Sequence, residues 1–161
     1  YETVNGSLGH GLGVGTGIAL ALKRKNSSCS VFVIVGDGEL HEGANWEALM
    51  FASHHKLDNL HLVIDNNQTS MLDHTEQIVS HNELIERLSS FGWDCLEVDG
   101  HDVSAVQKML LKQKNIMDGK PKAMIARTLK GHGIPGLENE SLSHIINPKP
   151  ELIDRLLEEK L

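Results

Sequence analysis

The chain has 161 residues and a formal net charge of −7, with 40% hydrophobic and 23% charged residues, values ordinary for one folded domain and unlike those of disordered or fibrous chains. An acidic balance with no Lys/Arg block interleaved with aromatics excludes nucleic acid and anionic lipid as bulk partners, and no stretch approaches the roughly 18 apolar residues of a membrane span. No signal peptide opens the chain, and two cysteines, Cys29 and Cys95, lie far apart without a CxxC partner; together these point to a reducing, cytoplasmic setting with both thiols as buried small hydrophobes.

Residues 8–23 combine small and apolar types with Gly at 9, 11, 13, 15 and 17, which lowers helix propensity but permits close backbone packing; a tightly packed helix is expected. The run Lys23-Arg24-Lys25 then reads as its solvated C-terminus. Val31 to Val35, bounded by Ser30 and Gly36, is a short β-branched run of the kind buried on both faces of a sheet. A helix over 44–56 and a strand over 60–65 follow. Residues 82–91 form the next helix, with Asn82 as N-cap, then a strand over 93–98, a helix over 103–117, a strand over 122–127 and an amphipathic helix over 151–160. Residues 131–150, rich in Gly, Pro and Asn, either cover a site or merely lead to the final helix. Strands alternating with helices imply right-handed βαβ units, and hence an α/β fold: one domain over 1–161 with a mostly parallel, doubly wound sheet and helices on both faces. Ligands of such sheets bind at the carboxyl ends of the strands.

Two polar groups stand at those ends. Gly36-Asp37-Gly38 closes the first strand and Asp65-Asn66-Asn67 the second. If the strands are neighbours, Asp37 and Asn67 project from one sheet edge. A carboxylate and an amide carbonyl are hard oxygen ligands suited to Mg²⁺ or Ca²⁺, and two side chains leave positions open for phosphate oxygens. Glycine lets the backbone approach phosphate, and the helix expected after Gly38 directs its amide dipoles there. Either motif alone is a tight turn or a polar strand end; the pair favours a diphosphate and metal site. The Gly-rich start offers no GxGxxG register and precedes the first strand, and no Walker A motif exists, so neither NAD nor ATP is favoured. His41-Glu42 lacks the second His of a zinc HExxH, and His54-His55 has no ligand spacing.

The GDG followed about thirty residues later by NN resembles the thiamine diphosphate-binding motif. With Gly6-Ser-Leu-Gly-His-Gly11, the segment from Gly36 to Gly43 and the run from Lys56 to Asn67, the chain resembles the N-terminal part of transketolases over most of residues 5–144. It is most similar to the N-terminal subunit of split transketolases. The resemblance implies thiamine diphosphate as cofactor, with Asp37, Asn67 and the carbonyl of Thr69 on the metal and Gly38 against the diphosphate. It places Gly6 and Leu8 along the aminopyrimidine and thiazolium, and Glu42 and Glu47 in a carboxylate network joining two active sites across a dimer; as ordinary acids of a first helical turn, these two need no such role. His144, at an interval like that of a substrate-contacting His, is followed by Ile145 where the family usually has Gly.

The implied reaction transfers a two-carbon ketol unit from a ketose phosphate to an aldose, the cofactor supplying the chemistry and the protein positioning and electrostatics. The aminopyrimidine-activating acid belongs to a different domain of the family, and the upstream segment that supplies further His contacts to substrate is expected to be missing. The resemblance therefore implies activity only with a pyrimidine-binding partner domain or subunit, in a homodimer or heterotetramer. A related thiamine enzyme such as a deoxyxylulose-phosphate synthase, or a non-catalytic interaction domain of the same fold, are the alternatives.

Overall fold

The computed structural model describes residues 3–4 and 6–158. Four strands, β1 (Val31–Gly36), β2 (Leu60–Asn66), β3 (Asp94–Asp99) and β4 (Lys122–Arg127), form one parallel sheet in the order β1-β2-β4-β3. Among the described residues six helices accompany them: α1 (Gly11–Arg24), α2 (Gly43–His54), α3 (Thr75–Ile78), α4 (Leu84–Ser90), α5 (Val103–Lys114) and α6 (Pro150–Glu158). Short 3-10 turns occupy Gly38–His41 and Ser141–His144.

The first sheet face carries the main core. Val33 and Val35 of β1, Leu60, Leu62 and Ile64 of β2, and Ala123 and Ile125 of β4 pack against Leu12 and Ala19 of α1, Leu49 of α2 and Leu88 of α4. Alternation within β4 sends Met124 and Ala126 to the second face, where they join Val98 and are covered by Val106 and Met109 of α5. The period-2 geometry of strands thus builds two apolar layers from one segment. Among the glycines of α1, Gly15 meets the sheet most closely: a Cβ there would stand 2.3 Å from Val33 Cγ2.

Several sequence expectations are corrected. β1 lies at the sheet edge and is not buried on both faces: Phe32 and Ile34 are 45% and 68% exposed, outside the second-face cluster of α5, β3, β4 and Val63 of β2. α1 begins three residues later than expected, since Gly9 takes a left-handed φ of +84°. A 3-10 turn, not the α-helix, follows Gly38, and α2 starts at Gly43. Asn82 does not cap α4; its N-cap is Glu83, itself left-handed and without a side-chain cap bond. The capping signal lies instead at Asp102, whose side chain accepts the Ala105 N–H at the start of α5. α5 stops at Lys114, short of Met117. Lys23 is not merely solvated, for its ammonium pairs with Asp58 at 2.5 Å. Cys29 is exposed and Cys95 only half-buried, its thiol pushed up to about 11 mainly by burial. The expected end of the last helix, Lys160, lies outside the described residues.

Candidate cofactor and metal site

β1 and β2 pair directly, Gly36 opposite Asp65, and the Asp37 N–H donates to the Asp65 carbonyl at 3.0 Å. Asp37 and the 66–69 turn therefore leave the sheet side by side. Asp37 is 1% exposed. Its Oδ1 accepts the Gly38 N–H at 2.8 Å and its Oδ2 the Gln68 N–H at 2.6 Å, so one carboxylate ties both turns together. Beyond it, Asn67 Oδ1 accepts the Thr69 N–H at 3.0 Å, and Gln68 between them holds a left-handed φ of +60°. Thr69 is buried.

Electrostatics favour a cation here. Burial, chiefly, and the Asp65 carboxylate push the Asp37 pKa up, while the Gly38 and Gln68 amides and the Lys130 ammonium pull it down; the net direction is upward. A carboxylate so poorly solvated gains from a divalent ion, and carboxylate, amide and carbonyl oxygens are the donors that Mg²⁺ and Ca²⁺ take. The residues present fit a metal-bound diphosphate on that ground. Gly38 is favoured by packing: a Cβ would stand 3.0 Å from Ser70 Cβ and 3.2 Å from its Cα.

The glycine-rich start docks on the same turn. Gly9 donates its N–H to Glu39 Oε1 at 2.9 Å, and a Cβ on Gly9 would stand 2.7 Å from Glu42 Cβ. Gly6 and Leu8, both exposed, lie in the segment that leads into this docked Gly9. Glu42 and Glu47 are exposed at the start of α2, their carboxylates in no hydrogen bond or ion pair among the described residues. His144 ends the second 3-10 turn, also exposed, and no hydrogen bond or ion pair ties it to the Asp37 turns among the described residues. The residues that the structure brings together are thus Asp37, Gly38, Asn67 and Thr69, while no hydrogen bond or ion pair among the described residues ties Gly6 or Leu8 to them.

Other neighbours escaped the sequence reading. Lys130, just past β4, lies near enough to Asp37 for its charge to act on the carboxyl. Thr128 Oγ1 donates to Asp65 Oδ1. His41 stacks on His81 with ring centroids 4.6 Å apart, and burial, then the charges of His41 and Arg87, lower His81 to about 4. Only strand order could have indicated Lys130 and Thr128: β4 lies next to β2 although β3 separates them in sequence.

A parallel sheet whose carboxyl edge presents a buried carboxylate between two linked turns defines an α/β domain with a ligand site at that edge. The model for "Transketolase, thiamine diphosphate binding domain" matches residues 1–155, and the chain belongs to that family. It is 38% identical over 158 residues to one of the subunits of the apulose-4-phosphate transketolase of Actinobacillus succinogenes, covering 98% of this chain and 56% of that protein. Human transketolase is 40% identical over 114 residues, 71% of this chain and 18% of the enzyme. The transketolase structure from Campylobacter jejuni superposes with a TM-score of 0.90 at 30% identity, covering 98% of this chain and 26% of that one. The chain thus spans about half the length of its apulose-4-phosphate transketolase relatives.

Proposed function

We propose that this chain is the diphosphate- and metal-holding part of a transketolase-type transferase that moves a two-carbon ketol unit from a ketose phosphate to an aldose. The observation that carries the reading is the Asp37 carboxylate, buried at the sheet's carboxyl edge and bridging the two motif-bearing turns. Asp37, Asn67 and the Thr69 carbonyl would hold Mg²⁺ or Ca²⁺, which would anchor the diphosphate. Lys130 adds a positive charge facing the same anion. Bound thiamine diphosphate supplies the carbon nucleophile of the reaction; Asp37 is a holder and neither acid nor base.

Gly6 and Leu8 line the cofactor rings from the docked segment, and Glu42 and Glu47, exposed on one helix, are free to meet carboxylates across a protomer boundary. The likeness to single subunits of apulose-4-phosphate transketolases supports a separate partner chain, to which we assign the pyrimidine-binding domain, in a homodimer or heterotetramer. His144 contacts substrate. The unpaired thiols support a reducing, cytoplasmic setting. Reconstitution with a pyrimidine-binding chain tests the proposal: ketol transfer is expected only from the mixture with thiamine diphosphate and Mg²⁺. Transfer by the chain alone, or a mixture that never turns over, would overturn it.

A further inference from the structure

Two strands, β2 and β4, separate the β3–α5 corner from β1 and Asp37, yet the corner supports the segment that carries Lys130. β3 and β4 pair with Asp99 opposite Arg127, and Gly100 donates its N–H to the Arg127 carbonyl at 2.7 Å. This register delivers His101 to the exit of β4, where its Nε2 accepts the Leu129 N–H at 2.8 Å. An imidazole accepting at Nε2 must carry its proton on Nδ1, so the bond also defines the tautomer. The His101 N–H itself donates to Asp99 Oδ1 at 2.9 Å, which fixes the corner.

Beyond Leu129 the chain folds back on itself. The His101 ring packs on His132 with centroids 4.0 Å apart, and Glu138 Oε1 lies 3.4 Å from His132 Nδ1 while accepting the Gly133 N–H at 2.8 Å. Asn139 donates its N–H to the Lys130 carbonyl at 3.0 Å. Gly131, at φ +75°, passes so close to Leu137 that a Cβ would stand 2.3 Å from its carbonyl oxygen. Residues leading into Lys130 are therefore held: Thr128 by Asp65, Leu129 by His101. The Thr128 N–H also donates to the Asn66 carbonyl at 3.3 Å, so the backbone that leads to Lys130 leaves the sheet beside the Asp65-Asn66-Asn67 end.

We infer that His101 is a positioning residue of the cofactor site: by holding the Leu129 amide it sets the Lys130 ammonium against the metal and diphosphate end marked by Asp37. The inference rests on the proposed metal-linked binding of thiamine diphosphate and adds a residue to it from an element that does not line the site. His101 touches neither cofactor nor substrate; its effect passes through one backbone amide.

The test is a double-mutant cycle read by calorimetric titration of the chain reconstituted with a pyrimidine-binding partner, with thiamine diphosphate at saturating Mg²⁺, after thermal unfolding has shown each variant to be folded. H101F keeps an aromatic ring against His132 but removes the acceptor, and the dissociation constant is expected to rise about three- to tenfold, the effect of one lost hydrogen bond. H101Q, whose amide oxygen reaches about as far as Nε2, is expected to restore affinity to within about twofold. In a Lys130→Met background, which weakens binding by itself, H101F is expected to add nothing. If H101F does not fold, H101N, one atom too short to reach Leu129, takes its place. Equal losses from H101F in both backgrounds, or no loss in either, would overturn the inference while leaving the cofactor site standing. A wild-type assembly without Mg²⁺-dependent binding would instead overturn the proposed function.

Discussion

Replacing Asp37 by Asn separates the work of the carboxylate in folding from its work in binding. The amide retains the shape and one acceptor, but its NH2 must face one of the two N–H donors now bound at 2.8 and 2.6 Å, a loss of about 1–3 kcal/mol. Against this, the substitution removes a charge that burial disfavours. The raised folded-state pKa means that the ligand-free wild type loses stability as pH rises through that pKa, a penalty the amide does not carry. These terms oppose, so the ligand-free variant is expected to stay within about 1–2 kcal/mol of wild type. Ligand linkage should differ sharply. At a hundredfold excess over Kd, thiamine diphosphate with Mg²⁺ stabilises the wild type by about 2.7 kcal/mol, a Tm rise of roughly 5–11 °C for a domain of this size. Differential scanning calorimetry of the Asp37→Asn chain should show no such rise. A variant whose Tm climbs with ligand as the wild type's does would refute the assignment of Asp37 as metal anchor.

Three further outcomes follow from the packing. Gly15→Ala drives a Cβ to 2.3 Å from Val33 and should destabilise by about 1–3 kcal/mol, whereas Gly17→Ala, with nothing within 4 Å, should stabilise by up to about 1 kcal/mol; urea titration of both checks the contrast. Asp102→Ala removes the side-chain cap of α5 and should lower stability by about 1 kcal/mol in the same assay. His61, buried and held to about 4 mainly by burial and then by Lys122, resists the protons that the unfolded chain takes up. Wild-type stability should therefore fall as pH drops from about 6.5 toward 4, and His61→Phe should flatten that slope in denaturant titrations across the range.

Much of this was legible in the sequence because local patterns and tertiary demands agree. The β-branched run at Val31–Val35 and the Lys122–Arg127 strand are confined by turn residues, and β4 has the expected bounds. The Asp37 and Asn67 pairing could be read because both motifs sit at strand ends, and a parallel neighbour relation was the single geometric fact still needed. What escaped the reading depends on strand order and on left-handed residues. The exposure of Phe32 and Ile34 follows from β1 being an edge, which its composition conceals. The start of α1 turns on Gly9, one glycine among many, and the α4 boundary on Glu83, whose positive φ has no propensity signal. Lys130 and His101 belong to the site's surroundings only because β4 inserts between β2 and β3.

The central claim is a divalent metal shared between this chain and a diphosphate, and it can be observed directly. Crystals of the chain grown with thiamine diphosphate and Mn²⁺ in place of Mg²⁺ would give an anomalous signal at the metal. The expected result is one strong peak bounded by an Asp37 carboxylate oxygen, Asn67 Oδ1, the Thr69 carbonyl and two diphosphate oxygens. A cofactor bound with no peak there, or a metal held by other residues, would contradict it.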